Sequence, residues 1–320
     1  MKILYGIQTT GNGHITRSVR IIKKLESEGH QVDIITSGPK NNLLKNLKTR
    51  HYKGFTFKYN GDGTVNYLKT ILTSNLFQFF KDVRLLDLED YEMIITDYEP
   101  ITSWASLLKE KCYISISNQS SFYSKKIPRP KSVDIFSEFG IKWLAPAQCP
   151  IGINYDNYDD FIFKPLLRED ILNAKVSDKG YYLIYLPQIK LNKIIKECRE
   201  NPLQNFIIFA DVEKKFTQKN CEIHPINYGD FSFYLTNCHG VVCSGGFQTT
   251  SEALYLQKKL MVVPVKGQWE QKCNSESLKR KGIFVSEFKD LKWFIKSSKV
   301  VVPKWEDPID SLMNKIRSLI

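Results

Sequence analysis

No stretch of this 320-residue chain approaches the roughly 20 consecutive apolar residues of a membrane-spanning helix, which excludes a helical channel or transporter. The amino-terminal apolar run, Ile3 to Ile7, is too short for a secretory leader and gives way at once to glycine and polar residues. The seven cysteines are odd in number and lack metal-ligand spacing. They exclude a disulfide scaffold or a zinc site and fit a reduced, cytoplasmic protein. There are no internal repeats, no low-complexity tracts and no Gly-Lys-Ser/Thr phosphate loop. A dinucleotide fingerprint also fails: Thr16 stands where a third glycine should follow Gly11 and Gly13, and the second strand ends at Thr36-Ser37 instead of an acid.

What is present is a basic globular chain. Hydrophobic residues make up 42% and charged residues 25%, with a formal net charge of +12. The length suits two domains with ample core. The charge reads as a lysine-rich surface; sharper readings are an anionic membrane face, a phosphate-bearing acceptor or nucleic acid, the last resting on charge alone.

Apolar runs and helical stripes alternate along the chain. A strand from Lys2 to Ile7 stops at a Gly11-Asn12-Gly13-His14 turn, a helix with Ile15, Val19, Ile22 and Leu25 on one face follows, and Gly29 closes it. Further strands are read at 31–36, 93–96 (ending at Asp97), 111–116, 181–186 and 205–210, with helices at 191–200 and 230–237. Val65 to Leu88 is apolar and aromatic and reads as core helix, or as a membrane-facing patch through Lys69, Lys81 and Arg84. Ser117 to Ser132 holds Lys125, Lys126, Arg129 and Lys131 without an acid and reads as a mobile basic loop, solvated or capturing an anionic acceptor. Near the end, Asp307 as N-cap with Pro308 starts a last helix bearing Ile309, Leu312, Met313, Ile316 and Leu319.

The most informative stretch runs from His239 to Gly282. A buried strand (240–243) enters a Ser244-Gly245-Gly246 turn, a helix carries Thr249 and Glu252, and a second strand ends at Pro264. Backbone N–H groups at such a helix start favour a phosphate, and the glycines let it approach closely. The segment SGGFQTTSEAL…VVP…WEQKCN, Ser244 to Asn274, resembles the donor-binding segment of GT-B nucleotide-sugar glycosyltransferases, above all the peptidoglycan GlcNAc-transferases and a prokaryotic group of UDP-sugar transferases like them. The Gly11–His14 turn resembles the acceptor-side loop of the same enzymes, and Phe161 to Arg168 their interdomain segment. Ser244 departs from the plant-type members, which carry His there; the peptidoglycan enzymes carry Ser.

The resemblance implies an α/β GT-B fold: two Rossmann-like parallel-sheet domains facing a cleft, residues 1–164 on the acceptor side and 165–302 on the donor side, with a terminal helix in 303–320 crossing back to the first. It implies transfer of a sugar from a nucleotide donor, most simply a UDP-sugar, to a hydroxyl acceptor such as a glycan or lipid-linked group, with inversion by direct displacement. It implies no cofactor and no metal. Glycosyltransferases of the other large fold hold a metal with Asp-x-Asp; the nearest sequence here, Asp211-Val212-Glu213, reads as an exposed turn. Donor contacts fall to Gly13, Ser244, Gly245, Gly246, Gln248 and Thr249, with Glu252 taking the ribose hydroxyls and Glu270, Gln271 and Gln268 the sugar; Asn274 fixes the loop. The plain alternative for Glu252 is a capping box with Thr249. His14 is the candidate base because imidazole titrates near neutrality, and Asp97, at another strand end of the same half, could orient it. The plain alternative for Asp97 is a cap on the helix after Pro100, and Glu99 is a reserve candidate for the base. His30, His51, His224 and His239 read as structural. A sugar-nucleotide epimerase shares the fold and donor site, and a non-catalytic sugar-nucleotide binder is a third reading.

Overall fold

The computed structural model describes residues 1–55, 58, 70, 75–131, 135–226 and 228–319. The first half is a parallel sheet of β1 (Lys2–Gln8), β2 (Gln31–Ser37), β3 (Thr49–Tyr52), β4 (Met93–Asp97), β5 (Ile114–Ser117), β6 (Cys149–Ile153) and β7 (Ile162–Phe163). Its spatial order is β3-β2-β1-β4-β5-β6-β7. Helices α1 (Asn12–Ser27), α2 (Leu76–Leu85), α3 (Pro100–Leu108) and α4 (Ile135–Leu144) accompany it. Ile3, Leu4, Tyr5 and Ile7 are all buried, so both faces of β1 are covered, as a parallel sheet requires.

The order turns back on itself between β1 and β4, which pair in parallel with Ile7 beside Asp97. Loops leaving these two strands part in opposite directions and open a crevice at the strands' carboxyl ends. α1 starts from this crevice. Gly11, at φ +100°, makes the turn into it, a conformation most side chains avoid. Ile15, Ile21, Ile22 and Leu25 seat α1 on the sheet.

The second half repeats the plan. Its strands are β8 (Tyr181–Tyr185), β9 (Asn205–Ala210), β10 (Phe216–Gln218), β11 (Cys221–Pro225), β12 (Gly240–Cys243), β13 (Lys259–Val262) and β14 (Phe284–Val285). The order is β10-β11-β9-β8-β12-β13-β14, parallel except for the β10–β11 hairpin. Here the order turns back between β8 and β12. The helices are α5 (Glu169–Leu172), α6 (Leu191–Arg199), α7 (Tyr228–Asn237), α8 (Phe247–Tyr255), α9 (Trp269–Arg280), α10 (Leu291–Lys296) and α11 (Ile309–Arg317). The change of sheet falls between Phe163 and Tyr181.

α11 returns to the first half. Leu312, Met313 and Ile316 are buried in the core that also holds Ile15 and Ile21. Arg317 pairs with Glu28 at 2.8 Å and Lys24 with Asp310 at 2.9 Å, both along α1. The helix is not capped as its sequence predicts. Pro308 occupies the N-cap without a side-chain bond, and the Asp307 carboxylate is drawn to Arg20, which also donates to the Leu167 carbonyl at 2.6 Å.

Two other expectations change. In the Val65 to Leu88 segment, α2 forms with Phe79 and Val83 buried and Phe77 and Phe80 exposed; Tyr67, Leu68, Lys69, Ile71 and Leu72 lie outside the described residues. The basic stretch is no free loop over its described residues. Gln119–Tyr123 forms a 3-10 turn, and Phe122 and Ile127 are buried. Arg129 donates to the carbonyls of Phe122, Ser124 and Ile127 and pairs with Glu138 at 3.0 Å, while Lys126 pairs with Asp159 at 2.7 Å. The acids missing from the stretch itself come from elsewhere in the chain.

Candidate active site

The two crevices face each other and enclose a cleft of about 330 Å³, within the size range of small-molecule sites. Thr10 to His14, Arg17, Asn118 and Gln119 line it from the first half. Arg168, Tyr185, Ser244, Gly246 to Thr249, Glu252, Gln268, Glu270 and Gln271 line it from the second. The halves meet closely: a Cβ on Gly13 would lie 3.3 Å from Gln248 Cβ, the Phe122 and Trp269 rings are 4.7 Å apart, and Tyr155 Oη lies 2.7 Å from Thr250 Oγ1.

His14 and Asp97 come together as expected. His14 Nδ1 lies 2.7 Å from Asp97 Oδ1. An ionised carboxylate only accepts, so Nδ1 carries a proton, and in the neutral ring Nε2 is left as the acceptor. Asp97 is fully buried and serves as no helix cap; Glu99 caps α3 instead, accepting from Ile101 N at 2.9 Å and Thr102 N at 2.6 Å. Those bonds and its own burial remove Glu99 as a reserve base, and burial raises its carboxyl above the ordinary range.

Sequence reasoning missed the main partner of Asp97. Arg17, only 3% exposed, forks onto it: Nε donates to Oδ2 at 2.8 Å and Nη2 to Oδ1 at 2.7 Å. Ser18 Oγ adds a bond to Oδ2 at 3.1 Å. Burial alone would raise the Asp97 carboxyl, but the charge of Arg17, with the hydrogen bonds from His14 and Arg17, outweighs it and holds the group below the usual carboxylate range. Arg17 Nη2 also lies 3.2 Å from His14 Nδ1. Both nitrogens are donors there, so this is a close approach of a cation to the ring and not a hydrogen bond. Residues three apart on a helix share a face, and that spacing was the available signal for Arg17. Tyr98 completes the surround. Its backbone is left-handed at φ +58°, its ring stacks on His14 at 5.9 Å and 12°, and its hydroxyl donates to Ile141 O at 2.9 Å. A bulky residue in that conformation is strained and marks a site held by its surroundings.

On the facing half, α8 begins at Phe247 with Gly246 as N-cap. The capping box of Thr249 and Glu252 therefore does not exist: Glu252 sits in the second turn. Its carboxylate is 2% exposed and forked by Arg168, with Nε to Oε1 at 2.8 Å and Nη2 to Oε2 at 2.9 Å; Gln248 Nε2 donates to Oε1 at 2.8 Å. Arg168 also donates to Ser232 Oγ at 2.8 Å. The expected sugar-binding pair divides. Gln271 is structural at both ends, accepting from Gly245 N at 3.0 Å and Val265 N at 3.3 Å and donating to Gln268 Oε1 at 2.6 Å. Asn274 Nδ2 holds the Gly245 carbonyl at 3.1 Å, so the turn is pinned from two sides. Glu270 reaches the cleft and accepts from Gln119 Nε2 of the first half at 2.8 Å; burial raises its carboxyl. Lys125, Lys126, Arg129 and Lys131 are not among the cleft's lining residues.

The Arg168–Glu252 pair makes a stability prediction. Arg168→Met leaves a buried carboxylate without its partner and should cost about 3–5 kcal/mol in urea unfolding, whereas Arg168→Met with Glu252→Gln should recover most of that loss. Losses that simply add would show that the two side chains do not act as a pair.

The profile of Glycosyl transferase family 1 matches residues 1–296. No curated protein matches the chain by sequence. Among solved structures, the chain is similar to the glycotransferase of kitacinnamycin at 13% identity and a TM-score of 0.63, covering 99% of this chain and 95% of that one. It is similar to MurG of Acinetobacter baumannii at 14% identity and a TM-score of 0.60, covering 99% of both chains. The spinosyn rhamnosyltransferase SpnG, complexed with thymidine diphosphate, follows at 12% identity and a TM-score of 0.59, covering 99% of this chain and 96% of that one. At such identities the structural likeness speaks for the GT-B fold. Taken with the family match over nearly the whole length, the chain belongs to glycosyl transferase family 1 and is a GT-B glycosyltransferase.

Proposed function

We propose that the enzyme moves a sugar from a UDP-sugar to a hydroxyl acceptor by direct displacement with inversion, without a metal, and that His14 is the base. The observation that carries this reading is the His14 Nδ1–Asp97 bond of 2.7 Å at the floor of the cleft. In it, Nε2 takes the proton from the acceptor hydroxyl as its oxygen attacks the anomeric carbon. The diphosphate leaves from the opposite face, and Asp97 stabilises the imidazolium that forms.

The donor belongs on the second half. The first turn of α8 supplies N–H groups and the positive end of a helix dipole for the diphosphate, and Arg168 adds a cation in the same wall. Glu252 Oε2 takes one bond from Arg168 and keeps acceptor capacity for ribose hydroxyls. Glu270, and Gln268 beside it, face the sugar. The thymidine diphosphate of SpnG is, like UDP, a pyrimidine nucleoside diphosphate, which supports this class of donor. An epimerase needs several acids and a base around the sugar. Here the cleft acids Glu252 and Glu270 are bound to Arg168 and Gln119, which favours transfer.

A membrane-facing acceptor is favoured by exposed aromatic side chains on two helices of the first half. Phe77 and Phe139 are 80% and 66% exposed on α2 and α4, which Phe55 joins through ring contacts with Phe79 and Trp143. Lys81, Arg84 and Lys142 lie on the same helices. No described helix is long and apolar enough to cross a membrane, so attachment would be peripheral. The seven cysteines are all free, which suits a reducing, cytoplasmic setting.

Two measurements test the reading. Calorimetry should show UDP binding in EDTA, weakened by about 1–3 kcal/mol in Glu252→Gln. Binding lost on chelation and restored by magnesium would refute the metal-free donor site. Sedimentation with phosphatidylserine vesicles should exceed that with phosphatidylcholine vesicles and decline with salt. Equal binding to both, or none, would remove the membrane surface.

A further inference from the structure

We infer that Arg17 is a positioning residue of the transfer reaction: by forking onto Asp97 it takes up most of that carboxylate's charge and keeps His14 neutral, with its Nε2 open to accept a proton. The inference rests on the reading of His14 as the base, and deepens it.

The geometry is specific. An Asp97 serving His14 alone would offer it a whole buried negative charge at 2.7 Å. Such a partner strongly favours the charged ring, and a ring already charged cannot act as a base. Here three further donors share the carboxylate: Arg17 Nε at 2.8 Å, Arg17 Nη2 at 2.7 Å and Ser18 Oγ at 3.1 Å. The guanidinium itself lies 3.2 Å from Nδ1, where it opposes a positive charge on the imidazole. The other groups around the ring are the Tyr98 face and the Glu270 carboxyl across the cleft. Glu270 is tied to Gln119, so Arg17 is the principal cation balancing two acids. Arginine suits the role because its planar fork meets both carboxylate oxygens and stays charged when buried; it is 3% exposed. With one cation and one anion fixed, the pair behind His14 is close to neutral. Asp97 then orients the ring and fixes its tautomer more than it charges it.

Nuclear magnetic resonance of ¹⁵N-histidine-labelled protein tests this without any substrate. The chain has five histidines, and His14→Gln identifies the His14 signal. In Arg17→Met the midpoint of the His14 titration should rise by about one pH unit or more, and in Arg17→Lys it should stay nearer the parent protein, because a point charge is kept. An unchanged or lowered midpoint in Arg17→Met overturns the inference. Should Arg17→Met not fold, Asp97→Asn serves: with Arg17 left unopposed the midpoint should fall, and an unmoved midpoint overturns the inference equally. Failure of the base reading is seen separately, as full transferase activity in His14→Gln.

Discussion

A buried carboxylate is costly unless cations meet it, and Asp97 is the point where this chain accepts that cost. The penalty for an isolated buried ion amounts to several kcal/mol, and removing one partner of such a pair is far worse than replacing both. Asp97 therefore dictates what surrounds it. Arg17 and Ser18 must come from the first two turns of α1, so α1 must start directly above the end of β4. That placement in turn requires β1 and β4 to be neighbours, which the strand order supplies. His14, one turn before Arg17, is carried to the crevice by the same constraint. His14 and the fold are thus held by one ion cluster.

The second half uses the same device for another purpose. Glu252 is buried on α8 and answered by the Arg168 fork, and Arg168 lies on the segment that joins the halves. The turn leading into α8 is not left to glycine alone: Gln271 and Asn274 grip Gly245 by its N–H and its carbonyl. Gly13 lies against Gln248 where a side chain would press on it, so the first turn of α1, which carries His14, reaches the start of α8. Gln119 and Glu270 add a hydrogen bond across the same gap. Each half thus sets one buried ion pair, Arg17–Asp97 or Arg168–Glu252, at the cleft.

How much of this was legible follows from the range of each interaction. Strands in a parallel sheet are short apolar runs ended by turn residues, so the end of β1 that leads to His14 and the end of β4 at Asp97 could be read and their meeting foreseen. The Gly245-Gly246 turn was legible for the same reason. Local capping patterns misled wherever a distant partner competed. Thr249 and Glu252 fit a capping box, but the pinned Gly245 turn starts the helix at Phe247 and Arg168 claims the acid from 84 positions away. Asp307 fits an N-cap before Pro308, yet Arg20 draws it to α1. Glu99, read as a spare base, proved the better cap for α3 because both its oxygens reach first-turn N–H groups. Arg17 stood in view at helical spacing from His14, but its conformation became meaningful only with Asp97 beside it.

The most direct test of the account is turnover at saturating donor for His14→Ala, Asp97→Asn and the double variant, with the sugar donor and acceptor first identified by mass spectrometry of products from a panel of UDP- and GDP-sugars. The account predicts that His14→Ala loses about 10²–10⁴-fold in kcat with little change in UDP affinity. It also predicts that the double variant is hardly worse than either single one, because the two residues act as a unit. Near-full activity in His14→Ala would contradict it and make His14 a packing residue of the first turn of α1.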